Sequence, residues 1–353
     1  MKNKRNSRAL IITAILAIIA VLLIINRSNS SLRSKDKNFA VSDTSNITRI
    51  FLADKNNNTC NLHREENGLW TLNGKYPVMK ETKDGMLKTL LNITVKTPVA
   101  KAARNTVIKL LSAKSVKVEI YQTVYRINLF DKIKLFPHEK LTRTYYVGDA
   151  TMDNRGTYML MEGSEEPYVV YIPSFRGFVS ARYSAMESDW RDRNIFSFIL
   201  PDISSVEVQY AENPALSFQL QNKSGRNFEL STITGAVLPD FDTLKVIEYL
   251  GSFRNISLES FLNENKTLKD SITSLRPDII IVVSDIHGKK HSAKLWHKKA
   301  PADATDLYEK PLDYDPDRMF ALVNDDKDFV LVQSYTFDRI LKKLEWFTTK
   351  EER

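Results

Sequence analysis

Apolar positions open the chain as one nearly unbroken block and from residue 47 onward recur in short alternating bursts. The block, Ala9–Ile25, is seventeen residues long and holds a single polar residue, Thr13. A helix rises about 1.5 Å per residue, so the block spans roughly 26 Å, at the short end of what crosses a bilayer core. It predicts a transmembrane anchor at 9–26, after a cytoplasmic tail at 1–8 and before a polar tether at 27–45 rich in serine. Lys2, Lys4, Arg5 and Arg8 precede the block with no acidic residue among them, which favours a cytoplasmic N-terminus. Arg27, Arg33, Lys35 and Lys37 on the far side pull against that orientation. A cleaved signal peptide is the rival reading. Against it, the apolar run is longer than a typical signal core and no clean small-x-small pair follows.

Beyond the tether the period changes. Ile47–Leu52, Cys60–Arg64 and Gly68–Leu72 read as strands, and Tyr76-Pro77 breaks the chain. Leu87, Leu90 and Leu91 share a helical face in Asp84–Leu91, and a second helix is expected over Ala100–Leu111. Strands follow at Val116–Tyr121, Thr144–Val147, Gly156–Met161 and Tyr168–Ile172. The order then recurs. Ser204–Val208 stands 157 residues after Ile47–Phe51, Phe228–Ser231 stands 158 after Trp70–Asn73, and Leu244–Ile247 stands 157 after Leu87–Leu90. Asp278–Ser284 follows Ser115–Tyr121 at about 163, Met319–Val323 follows Thr157–Met161 at 162, and Phe329–Val332 follows Tyr168–Tyr171 at 161. The expected fold is α+β: an N-terminal transmembrane helix, then two tandem, internally duplicated units of mainly antiparallel sheet with helices, at 46–198 and 199–353. Phe337, Ile340, Leu341, Leu344 and Phe347 predict one amphipathic helix that closes the second unit, docked on its own sheet or on a partner helix.

Charge changes the picture little. The chain carries +8, but +6 of it falls within residues 1–43, leaving the folded part nearly balanced. A nucleic-acid partner is therefore not expected. Cys60, the single cysteine, excludes an internal disulfide and reads as a small apolar strand residue. Ser284-Asp-Ile-His-Gly288 resembles the opening motif of calcineurin-like metallophosphoesterases, but the downstream Gly-Asn-His is missing and only 66 residues follow His287. A hairpin turn at Asp285–Lys290 is the expectation. His287, His291 and His297 straddle that turn and read as solvated. The run Asp313, Asp315, Asp317, Asp325, Asp326 and Asp328 fails the calcium-loop pattern, since Arg318 and Asn324 stand where Gly and Glu are needed. Pro311 and Pro316 predict a loop there. No Gly-rich phosphate loop and no G-x-S-x-G motif occurs. Catalytic, cofactor-binding and metal-binding residues are all expected to be none. The densest unexplained feature is 121–146, where Tyr121, Tyr125, Phe130, Phe136, Tyr145 and Tyr146 interleave with Lys132, Lys134, Lys140 and Arg143. Its counterpart in the second unit is shorter, so it is the expected partner-facing loop.

Gly68-Leu-Trp-Thr-Leu, Tyr76-Pro77 before an apolar helix, Tyr146-Val-Gly148 and Gly156-Thr-Tyr, behind a membrane anchor, resemble a bacterial envelope family of unknown function. The resemblance covers the first unit well. The second replaces the Trp by Phe228 and lacks Tyr-Val-Gly. It implies a single-pass, often duplicated protein, frequently encoded beside gliding-motility-type ABC transporter components, and no defined chemistry. The expected function is non-enzymatic: a periplasmic accessory protein held in the inner membrane, with the lipid bilayer and envelope membrane proteins as partners. The alternatives are a metal-dependent phosphoesterase-like hydrolase using Asp285 and His287, or a ligand- or glycan-sensing envelope module.

Overall fold

The computed structural model describes residues 13, 15 and 16, 37–129, 133–224, 227–306 and 308–348. The expected tail at 1–8, nearly all of the anchor at 9–26 and the tether up to residue 36 lie outside the described residues. No helix among the described residues is long and apolar enough to cross a membrane. The chain divides into two compact units, 1–192 and 193–353. The division precedes the 198/199 boundary read from sequence, because Asn194–Phe196 pairs with Ile256–Ser257 and so belongs to the second unit.

In the first unit, β1 (Ile47–Ala53), β2 (Thr59–Arg64), β3 (Trp70–Leu72) and β4 (Tyr76–Pro77) form an antiparallel meander that runs out to one sheet edge. Helix α1 (Lys80–Asn92) leads to β5 (Thr94–Pro98) at the opposite edge, and α2 (Lys101–Lys114) leads back to the middle. A second meander follows: β6 (Val116–Leu129), β7 (Ile133–Ala150), β8 (Thr157–Met161) and β9 (Tyr168–Tyr171). The nine strands lie in the order β4-β3-β2-β1-β6-β7-β8-β9-β5. Pro77 and Pro98 sit on the two edge strands, where a missing ladder donor costs least. The Tyr-Pro pair expected as a chain break is thus the edge strand itself.

The second unit begins with β10 (Asn194–Phe196) and repeats the plan. Its first meander is β11 (Ile203–Tyr210), β12 (Phe218–Ser224), β13 (Asn227–Thr232) and β14 (Val237–Leu238). Then come α3 (Thr243–Gly251), β15 (Ile256–Ser257, on β10), the edge strand β16 (Ser260–Phe261) and α4 (Lys266–Thr273). The last meander is β17 (Ile279–Asp285), β18 (Lys290–Lys299), β19 (Tyr314–Val323) and β20 (Asp328–Gln333). The order β14-β13-β12-β11-β17-β18-β19-β20-β16 matches the first sheet place for place. All six sequence pairs fall on elements that hold the same place in the two units, although three are slipped. Ile47, Ile50 and Leu52 of β1 are buried, as are Ile203, Val206 and Val208 of β11, so that offset is 156 rather than 157. Both strands shift register at the same point, after Ile47 and after Ile203. In the last strand pair Tyr168 opposes Met159 as Val330 opposes Ala321, an offset of 162 rather than 161. In the helices Met86, Thr89 and Leu90 are buried, as are Val246, Tyr249 and Leu250, an offset of 160 rather than 157. Letter similarity tolerates a one-residue slip, whereas the pleat does not, because it would turn every side chain to the other face.

Each sheet is covered on both faces. In the first unit Ile50, Leu52, Leu62, Leu72, Val118 and Ile120 meet Met86 and Leu90 of α1, together with Phe39 and Val41. Phe39 and Val41 are each 1% exposed, so the stretch expected as a polar tether is already core by residue 39. Tyr158, Leu160 and Val169 point the other way, onto Val107 and Leu111 of α2. In the second unit Val206, Leu220, Leu230 and Val283 form the main core with α3, while Trp296, Phe320 and Phe329 pack against Leu268 and Ile272 of α4. The single C-terminal helix expected from the Phe337–Phe347 stripe is two short ones, α5 (Ser334–Phe337) and α6 (Leu344–Thr348). Phe337, Ile340 and Phe347 are fully buried in their own unit all the same.

Candidate functional site

The two units differ most in one hairpin. β17 and β18 are seven and ten residues long, whereas β6 and β7 are fourteen and eighteen. The segment expected as a loop is therefore a two-stranded ribbon, paired from Val116–Val147 out to Leu129–Ile133 with breaks at the Ile120/Tyr121 shift and at Arg126 and Phe136. Alternation carries this in the sequence: Tyr125-Arg-Ile-Asn-Leu and Ile133-Lys-Leu switch between apolar and polar at period two. Tyr121, Tyr125 and Ile127 face the same side as their cross-strand partners Leu141, Pro137 and Leu135. Ile127, Ile133, Leu135 and Leu141 on that side are 41–52% exposed. The opposite side carries Gln122, Arg126, Asn128, Lys134, His138 and Lys140, with Val124 as its aliphatic member. Phe136, 64% exposed, sits there in the left-handed region at φ +58°. A bulky residue rarely holds that conformation without a constraint from its surroundings.

Aromatic density alone had pointed to a different set of residues. Tyr145 is fully buried, its hydroxyl 3.5 Å from that of Tyr183, and burial drives its pKa well above the usual tyrosine value. Tyr121 lies under the Arg49 guanidinium, 3.6 Å from its ring centre. Phe130 and Lys132 lie outside the described residues. The exposed aliphatic side chains are what that reading missed.

The ribbon is fixed at its base. The register shifts between Ile120 and Tyr121, where the ribbon leaves the sheet. Glu139 accepts from Arg49 Nη2 at 3.2 Å and from Thr48 Oγ1 at 2.6 Å, both on β1. Arg143 donates through Nε to the Asn38 carbonyl at 3.1 Å and through Nη1 to Gln122 Oε1 at 3.2 Å. Burial lowers the pKa of Arg143. Gln122 in turn donates to the Asp43 carbonyl. The ribbon thus springs from the point where the chain enters the first unit. An open cleft of about 490 Å³ lies beside this base, lined by Asn38, Arg143 and Glu162 among others.

The residues that suggested chemistry disperse. Asp285 ends β17, and its Oδ1 accepts from the backbone N–H groups of His287 and Lys289, both at 2.9 Å, closing the hairpin turn. His287 stands exposed in that turn. His291 lies 3.5 Å from Asp285 Oδ2, with its ring centre 5.0 Å from that of Phe198. His297 contacts a different carboxylate, Asp278, at 2.9 Å. In the acidic run, Asp315 binds Lys298 at 2.6 Å, Asp326 pairs with Lys294, and buried Asp328 accepts from Asn263 and Asn324 at 2.8 Å each. Asp315 and Asp317 flank Pro316 inside β19, which corrects the expected loop; this end of the strand lies past the register shift and does not pair with β20. Among the described residues no three His, Cys, Asp or Glu side chains gather as a metal site would require. Cys60 is fully buried on β2, and burial pushes its thiol up to about 12.

A family described as a domain of unknown function (DUF4340) matches residues 70–273, more than half of the chain. The chain belongs to the DUF4340 family. No curated protein and no solved structure matches it. The DUF4340 match runs from Trp70 in β3 to Thr273 at the end of α4 and takes in the whole ribbon. Asp285, the three histidines and the acidic run fall outside the matched residues.

Proposed function

We propose that this protein is a non-enzymatic accessory module of the bacterial envelope. It is anchored once in the inner membrane by Ala9–Ile25, with its N-terminus cytoplasmic and both units in the periplasm. It works by holding those units at the membrane surface beside membrane-embedded partners of a transporter-associated assembly. The observation that carries this reading is the β6–β7 ribbon. It adds exposed apolar surface to one unit while the other builds the same sheet without it. The sheet's own core ends at the ribbon base, so packing gives no reason for the extension. Exposed apolar surface of this kind marks a contact.

The test is residue-specific photo-crosslinking in cells, scanned over the exposed positions of both units. The full chain is expected to give discrete protein adducts. They should vanish when residues 122–141 are replaced by a turn as short as that joining β17 to β18. Identical adducts from the shortened chain would sink the reading.

A further inference from the structure

We propose that the ribbon is a second membrane contact, whose tip, taken as Ile127 and Ile133–Phe136, seats in the headgroup layer of an anionic lipid surface. This rests on the tethered reading above and names what the ribbon meets. The first argument is charge. Arg126, Lys134 and Lys140 stand on the side of the ribbon opposite the apolar one, and the one acidic residue among the described ribbon positions, Glu139, is held at the base by Arg49. A narrow ribbon with one apolar and one cationic face complements a bilayer whose surface is negative and whose interior is apolar. Ile127, Ile133 and Leu135 supply the face, and the exposed Phe136 ring suits the interface, where aromatic side chains collect.

The second argument is reach. Asn38, bound by Arg143 at the ribbon base, follows the apolar block by about a dozen residues. Fully extended, that length spans at most about 45 Å. Nine ribbon residues beyond the bulge, at about 3.4 Å each, project roughly 30 Å. An anchored chain therefore lets the base come within the ribbon's reach of the same bilayer. Depth is limited as well. The two outer edges of a lone ribbon leave backbone groups unpaired, which the hydrated headgroup layer satisfies and the hydrocarbon core does not. The tip should thus lie in the interface and not span the membrane.

The full chain is reconstituted in lipid nanodiscs of phosphatidylcholine alone or mixed with phosphatidylglycerol, carrying Leu135→Cys labelled with an environment-sensitive fluorophore. Native Cys60 is fully buried and stays unlabelled. Met152→Cys, at a fully exposed position on the same unit, is the control. Expected at 135 are a blue shift and quenching by brominated lipid in the anionic discs. Both should be lost in neutral discs and in the triple variant Arg126→Glu, Lys134→Glu, Lys140→Glu, with no change at 152. Absence of quenching in anionic discs, or equal quenching in neutral ones, overturns the inference. If quenching is absent while the cellular adducts still depend on the ribbon, the ribbon grips protein: the lipid assignment falls and the proposed function stands.

Discussion

Gly148 and Gly156 show what the signature residues do. A Cβ on Gly148 would lie 2.6 Å from Leu111 Cδ2 of α2 and 3.3 Å from the Tyr158 carbonyl oxygen. On Gly156 it would lie 2.6 Å from Val169 Cγ1 and 3.3 Å from the Val170 carbonyl oxygen. Both glycines clear space on the sheet face that receives α2. Gly148→Ala should therefore destabilise the first unit by about 1–3 kcal/mol, the usual cost of forcing extra volume into a packed site. Chemical denaturation measures this, and pairing the change with Leu111→Ala should recover part of the loss if overpacking is the cause. Asp285 is likewise a structural residue. Burial acts to raise its pKa, but the amides of Lys289 and His287 and the His291 ring outweigh it, so its carboxyl titrates below the usual range. Its folded pKa is thus lower than its unfolded one. The stabilisation it lends the hairpin is present above the unfolded value and fades as pH falls through the folded one. Protection of the His287 and Lys289 amides from hydrogen exchange, taken relative to the intrinsic rate at each pH, should fall on acidification, and Asp285→Ala should show low protection at every pH. Unchanged exchange in that variant would refute the turn role. Sequence exposed these residues as motifs; their roles stayed hidden because Leu111 and Val169 reach the glycines only through the fold.

At the scale of elements, strands with a clean apolar alternation were legible, and so was their recurrence. The edge strands β5 and β16 were not, because their residues are mostly part-exposed or exposed and carry no period. β12 was missed although Phe218 and Leu220 are fully buried, since its other positions are polar. The α1 face was read as Leu87, Leu90 and Leu91, yet Leu91 is 46% exposed and Thr89 is buried instead, its hydroxyl accepting from Arg182 at 2.8 Å. A tertiary hydrogen bond overrode hydropathy there. The C-terminal stripe was legible as a docking surface but not as two pieces. Phe347 packs edge-on against Phe218 and Tyr249, at 4.9 and 5.2 Å between ring centres. Phe347→Ala should cost the second unit about 3–5 kcal/mol, as large-to-small core changes do. Exposed Tyr335→Ala, on the preceding helix, should cost little. Equal denaturation midpoints for the two variants would show that α6 is not part of the core.

At the scale of the whole molecule, each sheet is threaded so that its first strand lies in the middle. β1 enters beside Phe39 and Val41, with β2 bonded along one side and β6 along the other. The sites of chemistry that sequence suggested dissolve into turns and ion pairs, whereas the ribbon prolongs β7 and β6, the latter paired with that same central strand. The threading has a mechanical consequence. A pull arriving along the N-terminal segment does not peel an edge strand one bond at a time. It loads two antiparallel ladders in shear at once, with the Arg49–Glu139 pair bracing the ribbon against the loaded strand. If the N-terminal block is fixed in a membrane and the units are tugged by a moving partner, the strand that takes the force is the one the sheet holds from both sides.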